Sequence, residues 1–252
     1  MTTVLETRVL RKAFGGITAT NDVSFTLPAG ARHALIGPNG AGKTTFVNLL
    51  SGVLLPTSGS IFLNGEDVTE WSVRKRSRAG LARTFQINQL FADLTPLQTI
   101  MIAINERENA ARSWFRSFGA RKDLVGEAVE LIESLNLADV IHNRVGSLAY
   151  GKQRLLEIAI ALAAKPSVLL LDEPAAGVPE SERDQILNVV AALPASVSLV
   201  LIEHDMDLVF RFAKTISVLV NGALFVEGSA EEIARDPRVR QVYLGEEVIN
   251  HG

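Results

Sequence analysis

The sequence contains no cysteine, which excludes disulfides and thiolate metal sites and fits a reducing compartment. No apolar run approaches the roughly 20 residues that a membrane span needs, and runs such as Val168 to Leu171 are of strand length. There is no excess of basic charge. Its 25 Lys and Arg stand against 28 Asp and Glu, so the net charge of -3 makes no electrostatic case for nucleic acid as the main partner. Met1 to Glu6 lack a basic segment followed by an apolar one, so no signal peptide is expected. There is no internal repeat and no low-complexity tract. What remains is a 252-residue chain, 47% hydrophobic, able to bury one large core or two modest ones. A cytoplasmic globular protein is expected, free to dock on a membrane protein.

The first thing present is Gly37-Pro38-Asn39-Gly40-Ala41-Gly42-Lys43-Thr44, followed by Thr45. It fits G-x-x-x-x-G-K-[ST], the phosphate-binding P-loop. Arg32 to Ile36 reads as a short buried strand before it, and Thr44 to Ser51 as a helix after it. Such a unit turns several backbone N–H groups and a helix N-terminus toward one point, which suits a polyphosphate. Lys43 is expected to reach the β- and γ-phosphates, and the Thr44 hydroxyl to ligate Mg²⁺.

Upstream, Val4 to Leu10 and Val23 to Leu27 read as strands, with breaks at Gly15-Gly16 and at Pro28-Ala29-Gly30. Phe14 either stacks on an adenine ring or caps the core of this small sheet. After the P-loop helix, Gly52 to Gly59 reads as a loop, Ser60 to Asn64 as a strand and Gly65-Glu66-Asp67 as a turn. Arg83 to Gln86 ends another short strand. From about Leu90 to Ala164 the pattern becomes helical. Pro96 can open one helix, and Glu127 to Leu137 is amphipathic through Ala128, Leu131, Ile132 and Leu135. A basic, aromatic-containing piece lies between them: Arg107, Arg112, Trp114, Phe115, Arg116, Phe118, Arg121 and Lys122. A solvated loop or helix edge is favoured for it over a partner surface. Leu148 to Arg154 is a glycine-containing turn opening the helix of Leu155 to Leu162. It is either a second helix N-terminus facing an anion or an ordinary buried helix start.

Ser167 to Glu173 is more telling, because a buried apolar strand ends in two carboxylates. Ligands of α/β sheets gather at that edge. In a P-loop ATPase the first carboxylate holds Mg²⁺ through water and the second polarises the attacking water. The alternative is a pair facing solvent. Ser198 to Glu203 repeats the pattern and ends at His204-Asp205, which makes His204 a candidate γ-phosphate contact. The tail reads as strand (Thr215 to Val220), turn (Asn221-Gly222), strand (Ala223 to Glu227) and helices from Ser229 to Leu244.

Taken in order, these parts resemble the ATP-binding subunit of ABC transporters over about Leu5 to Glu247. The order is Phe14, Walker A (Gly37 to Thr45), Q-loop (Gln86), signature (Leu148 to Lys152), Walker B (Val168 to Asp172), Glu173 and His204. Ala82-Arg83-Thr84-Phe85-Gln86, Leu148-Ala149-Tyr150-Gly151, Leu156-Glu157-Ile158-Ala159, Leu171 to Gly177 and Tyr243-Leu244-Gly245-Glu246 look like the branched-chain amino-acid importer ATPases. That branch also serves urea, short amides and aromatic acids. The resemblance implies an α/β P-loop NTPase (ABC ATPase) with a RecA-like core sheet, an N-terminal antiparallel β subdomain and a helical subdomain. It implies a single ATP-binding domain over 1–252, with 1–86 and 165–252 in the core and β subdomains and about 87–164 in the helical one. ATP and Mg²⁺ are the implied cofactors. Phe14 would stack on adenine, and Gly37, Pro38, Asn39, Gly40, Ala41, Gly42, Lys43, Thr44 and Thr45 would hold the phosphates. Thr44, Gln86 and Asp172 would serve Mg²⁺, Glu173 and His204 would act in catalysis with Gln86, and Ala149, Tyr150, Gly151 and Lys152 would close over ATP held by the opposite subunit. The implied partners are membrane permease subunits, a second copy or a paralogous ATPase, and indirectly a solute-binding protein. The implied location is the inner face of the cell membrane.

The chain departs from the general family pattern. The usual signature is L-S-G-G-Q, so the serine is lost at Ala149 and Lys152 stands where glutamine is usual. Lys152 either adds charge near phosphate or is simply solvated. Pro179 replaces the aspartate or asparagine that normally crosses the dimer seam after Walker B, and proline donates no backbone hydrogen bond. Altered coupling between two sites is expected, with hydrolysis intact. Other classes are a soluble non-transport ABC ATPase, against which stand the single cassette and the lack of a coiled-coil insertion, and a P-loop kinase or GTPase. The signature helix and His204 argue against a kinase, and no Asn-Lys-x-Asp guanine-reading motif is present.

Overall fold

The structure is a computed structural model that describes residues 2–84, 90–108 and 122–242. The chain divides into two compact units, one of residues 1–81, 167–173 and 194–252, the other of residues 82–166 and 174–193.

The first unit opens with a long hairpin, β1 (Thr3–Phe14) and β2 (Ile17–Pro28). Phe14 pairs with Ile17, so Gly15 and Gly16 alone make the turn. Both strands extend further than their alternating pattern. The register shifts repeatedly between Thr3 and Ala13, and Val9 adopts φ 46. Each irregularity breaks the period of two that marks a strand in sequence. The outer partner of β1 is β4 (Ser58–Leu63), which continues into β5 (Glu66–Asp67). Gly65-Glu66-Asp67 is therefore not simply a turn. Asn64 and Gly65 supply φ 52 and 82, and this pair is the turn that lets Glu66 face Leu63.

The second sheet of this unit carries the P-loop. It contains β3 (Arg32–Ile36), β7 (Val168–Asp172), β8 (Ser198–Ile202), β9 (Thr215–Val220) and β10 (Ala223–Gly228). The strand order is β10-β9-β3-β8-β7, and the short strand β6 beginning at Leu81 follows β7. β3, β7, β8 and β9 are parallel. β3 is buried on both faces from His33 to Ile36, and Ala34, Leu35 and Ile36 are its apolar part. Leu35 enters one core with Phe25, Phe46, Leu50 and Ile61, while Ala34 and Ile36 enter another with Val209, Ile216 and Ile233. Helix α1 (Lys43–Ser51) follows the loop and starts one residue before the expected Thr44. Helix α2 (Val73–Arg78) is capped by Ser72. Its Arg76 is fully buried and donates to Leu49 O, Leu50 O, Thr69 O and Trp71 O. Two of those carbonyls belong to the last turn of α1, where a helix has no partners of its own.

The second unit is helical. Its members are α3 (Pro96–Arg107), α4 (Lys122–Ser134), α5 (Tyr150–Ala163) and α6 (Glu180–Ala191). Thr95 and Gln98 form a capping box on α3, with Pro96 in the first position. The core of the unit includes Ile100, Ile104, Ala128, Ile132, Leu155 and Ile158. Arg107 grips Glu127 with both guanidinium nitrogens at 2.6 and 2.8 Å and donates to Ala163 O at 2.9 Å. It is neither a solvated edge nor a free partner contact. The other members of that basic stretch, apart from Lys122 at the start of α4, lie outside the described residues. Back in the first unit, the chain passes through α7 (Met206–Phe212) and α8 (Ala230–Arg235), with a further helical segment over 237–242. Among the described residues no helix is long and apolar enough to cross a membrane.

Candidate nucleotide site

Three parallel strands end at one level. Leu35 of β3 and Asp172 of β7 both face Ile202 of the strand between them. The residues that follow each strand, Gly37 onward, Glu173, and Glu203 with His204, therefore leave the sheet along one edge. The ladder register alone brings the P-loop, the carboxylates and the histidine to that edge.

The P-loop is built for an anion close to its backbone. Gly42 caps α1 with φ 96 and offers the first turn of the helix no side-chain cap. A Cβ at Gly37 would strike Leu219 O, and one at Gly42 would strike Ala19 O, so neither position admits a larger residue. Lys43 Nζ curls over the loop and donates to Gly37 O at 2.5 Å and Pro38 O at 2.9 Å. Its charge thus sits at the loop that a polyphosphate would enter. Thr44 is exposed at the start of α1. Thr44 carries a hydroxyl and Asp172 a carboxylate, oxygen donors of the kind Mg²⁺ takes together with phosphate.

Glu173 has φ 46, a conformation unusual for a residue with a side chain, and its N–H bonds Ile202 O at 2.9 Å. Its Oε1 lies 3.4 Å from His204 Nδ1. The histidine side chain is 66% exposed, so it is reachable from solvent. The same ring nitrogen faces Glu203, only 3% exposed, whose Oε2 accepts from His204 N at 3.3 Å and lies 3.9 Å from Nδ1. Burial pushes the Glu203 carboxyl up to about 7. No motif marks Glu203. The sequence signal was a charged residue closing an apolar strand beside His204. Deeper in the sheet, His33 of β3 bonds Ser217 Oγ at 2.8 Å and meets the Phe25 ring edge-on, and burial lowers its pKa to about 4.

Phe14 is 48% exposed with Lys12 Nζ over its ring, so it does not cap the small sheet. Gln86 lies outside the described residues. In the second unit, Ala149 starts α5 without a side-chain cap. Lys152 is not simply solvated. Its Nζ donates to Asn136 O at 2.6 Å and Asp139 Oδ1 at 2.9 Å, so the charge is already committed. The Tyr150 hydroxyl accepts from Arg154 Nη2 at 2.7 Å. Pro179 caps α6, and its carbonyl accepts from Glu182 N at 2.9 Å and Arg183 N at 3.2 Å.

Comparison with known proteins agrees with this geometry. The ABC transporter family model matches residues 20–176, and that of the branched-chain amino acid ATP-binding cassette transporter matches residues 224–249. The high-affinity branched-chain amino acid transport ATP-binding protein BraF of Pseudomonas aeruginosa is 37% identical over 96% of this chain and 98% of its own. The probable branched-chain amino acid transport ATP-binding protein LivG of Archaeoglobus fulgidus is 35% identical over 96% of this chain and 95% of its own. Among solved structures, the ADP conformation of MJ1267, an ATP-binding cassette of an ABC transporter, superposes with a TM-score of 0.85. It shares 29% identity and covers 97% of this chain and 100% of that one. The chain belongs to the ABC transporter family, as a nucleotide-binding ATPase subunit of the branched-chain amino-acid transport type.

Proposed function

We propose that this chain hydrolyses ATP at the shared edge of β3, β7 and β8 to drive import of a branched-chain amino acid, or a related amide or aromatic acid, through membrane permease subunits. The observation that carries the reading is the common level of Leu35, Asp172 and Ile202, with Glu173 against His204 at 3.4 Å. Gly37 to Thr45 hold the phosphates with backbone N–H groups and Lys43, and Phe14 stacks on the adenine. Thr44 and Asp172, with Gln86, would hold Mg²⁺, which would supply positive charge against the phosphates. Glu173 accepts a proton from the attacking water, and His204 meets the γ-phosphate. The positive φ of Glu173 supports that role, because strain of this kind is kept where orientation matters.

Catalysis here is mostly positioning and charge neutralisation. Two such chains, or this chain and a paralogue, stand head to tail on the inner face of the membrane. Ala149 to Gly151 close over ATP on the opposite subunit, while Lys152 acts only through its backbone. A solute-binding protein delivers cargo to the permeases. The test is uptake of labelled leucine, valine, urea, a short amide and benzoate in cells lacking this gene, rescued with the native chain or Lys43→Ala. Loss of one solute's uptake, restored by the native chain alone, is the expected result. Unchanged uptake of the whole panel contradicts the proposed solute class.

A further inference from the structure

The signature turn has lost its serine, and Ala149 offers α5 no side-chain cap. One of the N–H groups at that helix start is bonded from within the same unit. Gly151 N–H donates to Glu182 Oε2 at 3.0 Å. Glu182 lies in the first turn of α6, three residues past the Pro179 cap that accepts its own N–H. The N-termini of α5 and α6, helices of 14 and 12 residues, thus share one carboxylate. Each carries partial positive charge at that end, so an anion between them is favourable. A Cβ on Gly151 would meet the same carboxylate oxygen, so a larger residue there would push Glu182 aside. The Tyr150 ring, held through its hydroxyl by Arg154, lies against Gly177. The arrangement has the chemistry of an anion site whose anion belongs to the chain itself.

We propose that Glu182 is an internal stand-in for nucleotide phosphate, occupying the Gly151 N–H of the signature turn until ATP on the opposite subunit displaces it. The inference rests on the reading that Ala149 to Gly151 close over that ATP. A carboxylate and a triphosphate then compete for one donor and repel each other, so Glu182 weakens ATP-driven closure of the dimer. It also ties the segment after Walker B to the signature helix, because Pro179 sets the start of α6 from which Glu182 reaches. The device gives the helix start an acceptor that Ala149 cannot supply, and that acceptor carries a negative charge.

The test uses the full chain in a Glu173→Gln background with ATP and Mg²⁺, and reads association by sedimentation. Glu182→Gln keeps the length of the side chain and an acceptor oxygen for Gly151 while removing the charge. It is expected to associate about tenfold more tightly than the background chain, with an advantage that shrinks as salt rises. Equal or weaker association overturns the stand-in role while leaving the dimer reading intact. No ATP-driven association in either variant overturns the dimer reading, and the inference with it. A second measurement stands apart from dimer formation. In the chain without nucleotide, the Gly151 amide should exchange with solvent faster in Glu182→Ala than in the native chain, with ATP binding at the P-loop kept. Unchanged exchange overturns the contact itself.

Discussion

The two compact units hold their charged side chains in different ways. In the first, the less exposed cations are fixed by backbone carbonyls, Arg76 by four of them and Lys43 by Gly37 and Pro38, while ion pairs such as Arg8 with Glu6 and Arg238 with Asp236 lie at its surface. Arg32 likewise donates to Val197 O and Pro194 O. In the second, opposite charges meet side chain to side chain: Arg107 with Glu127, Arg154 with Glu157, and Lys152 with Asp139. Lys165 adds to the Glu127 pair, and Arg107 and Lys165 together hold that carboxyl down at about 2. Carbonyls at loop and helix ends are fixed by the fold, so cations bound to them are held with the geometry of the sheet edge. Ion pairs close to solvent, such as Arg107 with Glu127 and Lys152 with Asp139, are screened by salt. The first arrangement suits a site that must be preorganised, and the second suits a unit that must respond to a partner.

The sharpest way to break this comparison is to remove one arginine from each unit. Arg76→Ala leaves four carbonyls without their donor and a hole in the core, and should cost about 3 kcal/mol or more in urea unfolding. Arg107→Ala should cost about 1 kcal/mol, because its partner is near solvent. Equal losses would remove the distinction. Comparable size is expected from pH, with opposite signs at two buried groups. Glu203 is pushed up to about 7, so the stability it contributes is full below the ordinary carboxylate range and is lost as pH rises through 7. His33 is lowered to about 4, so its contribution is full above the ordinary histidine range and is lost as pH falls toward 4. Melting of Glu203→Gln should lose the fall in stability as pH rises toward 7, and that of His33→Gln the fall as pH drops toward 4, each on the order of 2 kcal/mol.

A smaller effect is expected from salt. In about 1 M KCl the cost of Arg107→Ala should shrink while that of Arg76→Ala holds, because only the former pair is screened. The smallest change is expected for Pro179→Asn, in which cooperativity between the two ATP sites should shift while the turnover rate stays within about twofold, since Glu173 and His204 are untouched. Cooperativity identical to the native chain would remove Pro179 from coupling.

The same contrast explains what the sequence discloses. β3 and β9 have the bounds expected of them, because turn residues flank each one: Gly30 lies before β3 and Gly37 after it, and Asn221-Gly222 follows β9. The P-loop, Asp172-Glu173 and His204 are motifs, and the ladder register accounts for their meeting at one edge. Where the chain is irregular, pattern reading stops short. The bulges of β1 and the positive φ of Val9 hide half of a long hairpin. Partners brought together only by folding are not legible at all. Nothing in Arg74-Lys75-Arg76-Ser77-Arg78 singles out Arg76 as the buried one. Lys152 reads as a charge in search of a role until Asp139, thirteen residues away, is found beneath it. Glu182 likewise reads as one of several acids in a helix start until Gly151 is found against it.

The most direct test of the whole account is ATP turnover by the native chain and by Glu173→Gln, with ATP binding measured on the same samples. If the shared strand edge is the hydrolytic site, the variant binds ATP as the native chain does and its turnover falls on the order of 100-fold or more. Near-native turnover with binding intact would take Glu173 out of the chemistry and contradict the assignment of that edge.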